Sequence, residues 1–294
     1  MQESERHAAR EREDGTLSLV ATPIGNLDDI TLRALKVLAA CDVVLAEDTR
    51  RTLQLLRAHK IEAHAIERLD DHVARHKCES LIRRMRDDNA WMAMVTDAGT
   101  PLVSDPGAFL VRAAIDAGVR VESVPGPSAA VSALLVSGLA GEGYRFVGFL
   151  PREGPDRQRA IAAIARDPLP SVLYESPHRT SQTLRDLAGA CGPARQACVA
   201  RELTKLHEEA MRDTLSQLAE RTEPGVLGEV SIVVAGFLQV DSAGDSDDTP
   251  ALDRALDAAL GAGMKPSVAA REVAKALGLD RASVYAHALA RSQK

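Results

Sequence analysis

Aromatic side chains are scarce in this sequence. One Trp, three Tyr and four Phe stand among 294 residues, so any core has to be built from Leu, Val, Ile and Ala. Cysteine is scarcer still: Cys41, Cys78, Cys191 and Cys198 form no CxxC pair and no closely spaced Cys/His ligand set. That excludes a disulfide frame or zinc site and fits reduced, buried thiols of a cytoplasmic protein. No apolar run reaches the roughly 18 residues of a membrane span. Also missing are GxxxxGK[ST], GxGxxG after the first strand, GxSxG and HExxH, which removes the common nucleotide, hydrolase and zinc-protease chemistries. Positive charge is not in excess. A net charge of -6 argues against an overall electrostatic grip on nucleic acid and leaves room only for a local basic face. The expectation is a protein with no metal and no membrane segment.

What is present is a chain at 45% hydrophobic and 27% charged, long enough for two domains and a small appendage. Residues 1–15 alternate charges without an apolar segment and predict a disordered tail, not a signal peptide. From 16 to 140 short apolar runs alternate with helical patterns. Leu17 to Ala21 leads into Thr22-Pro23-Ile24-Gly25-Asn26, after which Asp28 or Asp29 caps a helix with Ile30, Ala34, Leu35, Val37 and Leu38 on one face. Val43 to Ala46 ends in Glu47-Asp48-Thr49-Arg50, a third strand starts from Ile61, and a basic helix ends near Arg86. Trp91 to Val95 runs into Thr96-Asp97-Ala98-Gly99-Thr100-Pro101, and Val119 to Val124 into Pro125-Gly126-Pro127-Ser128. This order predicts a parallel α/β sheet with its loops gathered at the carboxyl ends of the strands, where ligands sit.

From 141 to 240 strands outnumber helices, which predicts a second α+β domain with a mixed sheet. Residues 241–250 form an acidic linker. Residues 251–294 read as three short helices with Gly278-Leu279-Asp280 as the last turn, spaced like a helix-turn-helix. From Lys265 onward, Lys265, Arg271, Lys275, Arg281, Arg291 and Lys294 face only Glu272 and Asp280, so the tail is locally basic.

The loops at 22–26, 97–105 and 125–128 are rich in Gly and Pro, which let main-chain groups approach a ligand, while Thr100 and Ser128 add small hydroxyls. They suit a small polar ligand; tight βα turns are the plainer reading.

Six motifs stand in order: Ala21-Thr22-Pro23-Ile24-Gly25-Asn26-Leu27, Ala46-Glu47-Asp48-Thr49-Arg50, Thr96 to Pro101 with Ser104-Asp105-Pro106-Gly107, Pro125-Gly126-Pro127, Tyr174-Glu175-Ser176-Pro177-His178-Arg179, and Ala200-Arg201-Glu202-Leu203-Thr204-Lys205. Together they resemble the bacterial 16S ribosomal RNA (cytidine 2′-O)-methyltransferases of the tetrapyrrole methylase superfamily, over residues 17–290. The resemblance implies two α/β domains of tetrapyrrole-methylase type and a small helical C-terminal domain. It also implies a homodimer that binds S-adenosylmethionine in a cleft between the two large domains. It places cofactor contacts on Ala98, Gly99, Thr100, Pro101, Val103, Ser128, Ala129, Tyr174, Ala200 and Val230, mostly through backbone or apolar contact. The implied partner is 16S ribosomal RNA within the small ribosomal subunit. Two departures stand out: Ala21 replaces a common Pro, and Asp70-Asp71-His72-Val73 replaces a more usual His-Asp/Glu-His-Asn, so that loop is given no catalytic role.

Methyl transfer to a ribose 2′-oxygen is an in-line displacement and needs help in removing a proton from a weakly acidic hydroxyl. Asp48, Asp97, Glu175, Glu202 and Lys205 are candidates at strand ends, with Asp48 or Asp97 favoured as base; Arg50, His178 and Arg179 suit RNA phosphates. Plainer readings stand beside these. Glu47, Asp48 and Arg50 fit a loop salt bridge, Glu175 and Arg179 a local ion pair, and the basic helix of Arg75, Lys77, Arg83, Arg84 and Arg86 a solvated face as well as an RNA contact. Two rival functions share much of the pattern: a corrin or porphyrin methylase, and a ligand-sensing regulator that binds DNA through its tail.

Overall fold

The computed structural model describes residues 15–104, 107–237, 249–277 and 281–292. The chain divides into two compact units, Met1–Phe237 and Leu238–Lys294. The expected disordered tail, the linker and the Gly278 to Asp280 turn fall mainly or wholly outside the described residues.

The first unit begins with β1 (Thr16–Val20), α1 (Leu32–Ala40), β2 (Val43–Ala46), α2 (Thr49–Ala58), β3 (Ile66–Arg68), α3 (Asp71–Asp87), β4 (Trp91–Val95), α4 (Ala108–Asp116) and β5 (Arg120–Val124). The strands form one sheet in the order β3-β2-β4-β1-β5, and every pairing in it is parallel. Helices cover both faces. Leu81 and Met85 of α3 and Leu110 of α4 pack with Leu17, Leu45, Met92 and Met94. Ala34, Val37 and Leu38 of α1 and Leu56 of α2 pack with Val20, Val44, Ala93 and Val95 on the opposite face. Burial on both sides is why β2 and β4 read as unbroken apolar runs. β1 and β4 lie side by side while their crossovers leave in opposite directions, which opens a crevice at their carboxyl ends.

Two local expectations are corrected. The α1 cap is Thr31, whose hydroxyl accepts the Ala34 N–H at 3.1 Å, because Leu27–Asp29 is taken up in a separate 3-10 turn capped by Asn26. β3 starts at Ile66 rather than Ile61, because α2 ends at Ala58 and the chain needs the intervening residues to return to the sheet.

The second sheet contains β6 (Arg145–Phe149), β7 (Ser171–Glu175), β8 (Gln196–Arg201), β9 (Glu209–Thr214) and β10 (Val230–Val234), with α5 (Ala129–Ser137), α6 (Gly154–Arg166), α7 (Thr180–Cys191) and α8 (Leu215–Arg221). Its order is β6-β7-β10-β8-β9. β6 and β7 are parallel and the other pairs antiparallel, the mixed sheet that the strand-rich sequence predicts. One face carries Leu173, Val199 and Ile232 against Ile164 of α6, Leu184 and Leu187 of α7 and Leu215 and Leu218 of α8. Truncating fully buried Leu173 or Leu187 to Ala costs about 2–5 kcal/mol. The other face carries Val172, Cys198, Ala200 and Val233 against Ala130, Ala133 and Leu134 of α5, together with Ile24 and Leu203. α5 follows the last strand of the first sheet and lies on the second, where Ala130, Ala133 and Leu134 are buried.

The second unit consists of α9 (Thr249–Gly261), α10 (Pro266–Leu277) and α11 (Arg281–Ser292) around Leu256, Ala269, Ala270, Val273, Ala274, Val284 and Ala288. Arg291 is held by Asp253 at 2.8 Å and Asp257 at 2.6 Å, two acids of α9 that precede the stretch from Lys265. The tail is therefore less basic on its surface than the stretch from Lys265 suggests.

Candidate functional site

Three strand-end loops of the first sheet are sewn together. Thr22 and Gly99 exchange two backbone hydrogen bonds, at 2.9 and 3.0 Å, and the buried Thr22 hydroxyl donates to the Thr96 carbonyl at 3.2 Å. Thr100 Oγ1 donates to the Pro127 carbonyl at 3.0 Å, and Gly126 sits against Ala21. The 97–104 loop turns through left-handed backbone at Gly99 (φ 86°), Leu102 (φ 71°) and Ser104 (φ 72°). Non-glycine residues in that region each cost about 1–3 kcal/mol and concentrate at ligand clamps. Ser128 is the N-cap of α5 and makes no side-chain cap bond, which leaves the first N–H groups of that helix open to an anion. Asp105 and Pro106 lie outside the described residues, and Gly107 enters α4 in left-handed conformation without a side-chain cap.

The second sheet supplies the facing wall. Tyr174 stands edge-on to Phe146 at 5.2 Å and to Phe149 at 5.6 Å between ring centroids. Phe146 and Phe149 share a side despite being three apart, because the strand register shifts between Phe146 and Gly148. A Cβ on Gly148 would lie 3.2 Å from Ser104 Oγ, so this aromatic group adjoins the 97–104 loop. Ala200 is on the same face as Tyr174. Val230 is not: its side chain belongs to the opposite core, and the buried residue paired with both Tyr174 and Ala200 is Ser231. Period-two alternation along β10 is the signal that identifies Ser231.

The loop after β8 closes onto the first sheet. Gly25 leaves no room for a Cβ, which would come within 2.5 Å of Lys205 Cγ, 2.7 Å of Thr204 Oγ1 and 2.9 Å of the Leu203 carbonyl. Lys205 Nζ donates to Glu202 Oε1 at 2.8 Å and Glu229 Oε2 at 3.2 Å. Burial pushes the Lys205 ammonium down, but the two carboxylates outweigh it and hold the group above its ordinary value. The Lys205 hydrogen bond in turn holds Glu202 below the ordinary carboxylate range. Glu202 (φ 51°) and Thr204 (φ 67°) are left-handed, and the Thr204 hydroxyl is buried with no partner among the described residues.

Asp48 and Asp97 are brought together. Asp97 Oδ1 accepts the Asp48 backbone N–H at 3.1 Å, and Arg51 lies 3.5 Å from Asp97 Oδ2. Asp48 caps α2 through the Arg50 N–H at 2.9 Å and also binds the Arg50 side chain through both oxygens. Those bonds hold its carboxyl far below the usual range, which makes it a weak proton acceptor.

Glu175 is buried and structural in its contacts. It accepts the Thr183 hydroxyl at 2.6 Å and the Ser176 N–H at 2.8 Å, and Arg179 stands 3.7 Å away as a local ion pair. Buried Arg157 completes this network through Thr183, Asp186 and the Pro151 carbonyl. His178 is exposed on the turn between β7 and α7. On α3, Arg83 pairs with Glu79, Arg84 with Glu67 of β3 and Arg86 with Asp87, so these three cations are matched; the Arg75 side chain lies outside those described. Among the described residues no group of three or more acidic, His or Cys side chains could hold a metal ion. No described helix is long and apolar enough to cross a membrane.

The family model of Tetrapyrrole (Corrin/Porphyrin) Methylases matches residues 16–219. The chain belongs to this family. A second model, the RsmI C-terminal HTH domain, matches residues 246–292 of this methylase. The tetrapyrrole methylase chain is 41% identical over 274 residues to a protein of Xylella fastidiosa named ribosomal RNA small subunit methyltransferase I, covering 92% of this chain and 98% of that one. It is 44% identical over 223 residues to a Mycobacterium tuberculosis protein of the same name, covering 76% and 78%. A uroporphyrin-III C-methyltransferase from Thermus thermophilus, solved with S-adenosylhomocysteine, has the same fold at TM-score 0.53 and 21% identity, covering 74% of this chain and 97% of that chain. The methylase fold of this chain thus carries its backbone-rich loops and its aromatic wall at one end of two joined sheets.

Proposed function

We propose that this protein transfers a methyl group from S-adenosylmethionine to the 2′-oxygen of a cytidine in 16S ribosomal RNA of the small subunit, acting as a cytoplasmic homodimer. Family membership and nearly full-length similarity to named ribosomal RNA methyltransferases support the reaction class over corrin or porphyrin methylation. The observation that carries the site is the sewing of the 22–26, 97–104 and 125–128 loops beside Tyr174 and Ala200.

The residues present suit such a donor. The uncapped start of α5 at Ser128 and Ala129 favours a carboxylate, the left-handed turns from Ala98 and Gly99 through Thr100, Pro101 and Val103 offer backbone groups, and Tyr174 with Ala200 gives an apolar wall. Val230 contributes through backbone only. When bound, the cofactor supplies an electrophilic methyl group on a sulfonium. Asp97 would take the proton from the ribose hydroxyl, the base that methyl transfer to a weakly acidic oxygen needs. Asp48 orients Asp97 through its N–H, and Lys205, held charged, locks the Leu203–Lys205 segment against Gly25 rather than accepting a proton. Arg50, His178 and Arg179 face RNA phosphates, Arg179 with part of its charge engaged by Glu175.

The test is to incubate the protein with labelled S-adenosylmethionine and unmodified small subunits, naked ribosomal RNA or tetrapyrroles, then digest and identify the product. 2′-O-methylcytidine from small subunits is the expected result. Label in a tetrapyrrole, or in no RNA, overturns the reading.

A further inference from the structure

Glu202 lies between the end of β8 and the start of β10, two strands paired side by side. Its N–H donates to the Glu229 carbonyl at 3.0 Å, and its Oε1 accepts both the Glu229 N–H at 3.0 Å and Lys205 Nζ at 2.8 Å. The Glu202 carbonyl also accepts the Lys205 N–H at 3.0 Å, so backbone and side chain hold the same residue. Gly228 makes way for this arrangement: at φ 86° it has no side chain, and a Cβ there would meet Glu202 Oε1 at 2.2 Å. One carboxylate thus joins the 228–229 turn to the 203–205 segment.

The segment held in this way is costly in itself. Glu202 (φ 51°) and Thr204 (φ 67°) are left-handed without being glycine, and the Thr204 hydroxyl is buried with no partner among the described residues. A turn that only linked β8 to β9 would favour glycine or asparagine at such positions and leave the hydroxyl in water. What the unfavourable geometry achieves is contact with the other sheet. Lys205 Cγ, Thr204 Oγ1 and the Leu203 carbonyl crowd the space where a Gly25 side chain would be, and Leu203 shares a core with Ile24. Ile24 in turn lies against Gly99, where a Cβ would be 3.4 Å from Ile24 Cγ2. A run of direct contacts therefore leads from Glu202 to the 97–104 loop.

We propose that Glu202 is a positioning residue of the methyl-donor site: through Lys205 it presses the 203–205 segment onto Gly25 and so fixes the 22–26 loop against Gly99. The proposal rests on the methyl-donor reading above. Glu202 touches neither donor nor RNA in this role, because its Oε1 is taken up by Lys205 and the Glu229 N–H. Lys205 carries the effect to the loop.

The test measures S-adenosylmethionine affinity of the full chain by isothermal titration, without RNA and well below each variant's Tm. Glu202→Ala and Lys205→Met are each expected to raise Kd about tenfold, within the range for residues coupled in one hydrogen-bonded network. Glu202→Gln restores Kd to within about threefold of the wild type, because its amide oxygen can still accept from Lys205 and Glu229. The Glu202→Ala/Lys205→Met double variant is expected to lose no more than either single variant, since both act on one contact with Gly25. Leu187→Ala, buried on the opposite face of the second sheet, lowers Tm and leaves Kd unchanged, which separates positioning from general stability. Wild-type Kd in both single variants overturns the proposal. A double-variant loss equal to the product of the two single losses does so too, as does a loss in Leu187→Ala as large as that in Glu202→Ala. A wild type that binds no S-adenosylmethionine overturns the methyl-donor reading instead.

Discussion

Asp97 Oδ1 accepts the backbone N–H of Asp48 at 3.1 Å, so the two carboxylates at neighbouring strand ends are unequal partners. Asp48 spends both oxygens on the start of α2 and on Arg50, while Asp97 faces Arg51 from 3.5 Å. If Asp97 is the base, Asp97→Asn lowers kcat by about 10²- to 10⁴-fold while calorimetry finds cofactor affinity little changed. Asp48→Asn, which still caps α2, lowers kcat far less. Equal losses in the two variants would remove Asp97 from the proton-accepting role.

The packing of Gly25 against Lys205 gives a second prediction. A methyl group on Gly25 would meet Lys205 Cγ at 2.5 Å and the Leu203 carbonyl backbone at 2.9 Å, and the backbone has no room to yield. Gly25→Ala is expected to reduce S-adenosylmethionine affinity tenfold or more. Gly118→Ala, which meets open space at φ 75°, costs about 1 kcal/mol of stability and leaves affinity unchanged. Isothermal titration and melting curves of the two variants separate these effects.

Much of the scaffold is legible in the sequence because hydrophobic period and turn chemistry are local. β1, β2 and β4 read as apolar runs, and their Gly- and Pro-rich ends read as loops. What depends on a fold-wide contact does not read so easily. The bulge that puts Phe146 and Phe149 on one side with Tyr174 depends on register. The fact that Val230 faces the core while Ser231 joins Ala200 depends on which side of β10 α5 covers. Glu175 looks reactive as a carboxylate in a motif, yet its neighbours Thr183 and Arg157 come from eight residues after and eighteen residues before it.

That network predicts a stability effect. Arg157 is buried and bridges α6 to Thr183 and Asp186 of α7 and to the Pro151 carbonyl. Arg157→Ala leaves those acceptors unmatched and costs about 2–4 kcal/mol. Thermal denaturation should show a clearly lowered Tm, with Arg157→Lys intermediate because a point charge cannot reproduce the fork. An unchanged Tm in Arg157→Ala would show that the network is not structural.

The Glu202–Lys205 pair sets a pH dependence. The Glu202 carboxyl lies below its ordinary value of 4.5, so its stabilisation is fully present above that value and is lost as pH falls through the lowered folded value. The Lys205 ammonium lies above its ordinary 10.5, so its contribution is present below that value and is lost as pH rises through the folded one. Across neutral pH the pair contributes a constant amount. In Lys205→Met the acid-side loss of Tm is expected to be shallower than in the wild type. An acid limb identical in the two proteins would separate Glu202 from acid unfolding.

In the C-terminal unit the ion pairs decide which cations are left for RNA. Arg291 is engaged by Asp253 and Asp257, and Arg271 by Glu272 at 3.0 Å, whereas Lys265 and Lys275 are exposed. If the helical unit binds ribosomal RNA, the double variant Lys265→Ala/Lys275→Ala raises the KM for small subunits and leaves S-adenosylmethionine affinity unchanged. For every phosphate that a lysine no longer neutralises, the slope of log KM against log salt falls by about 0.7–0.9, so the double variant should lower it by up to about twice that. Arg291→Ala acts differently: it frees α11 from α9, lowers the melting temperature of this unit and changes the salt slope little. A double variant with wild-type KM and wild-type slope would place the RNA-binding surface elsewhere, since removing charge from such a surface must appear in the salt dependence even when the fold is intact.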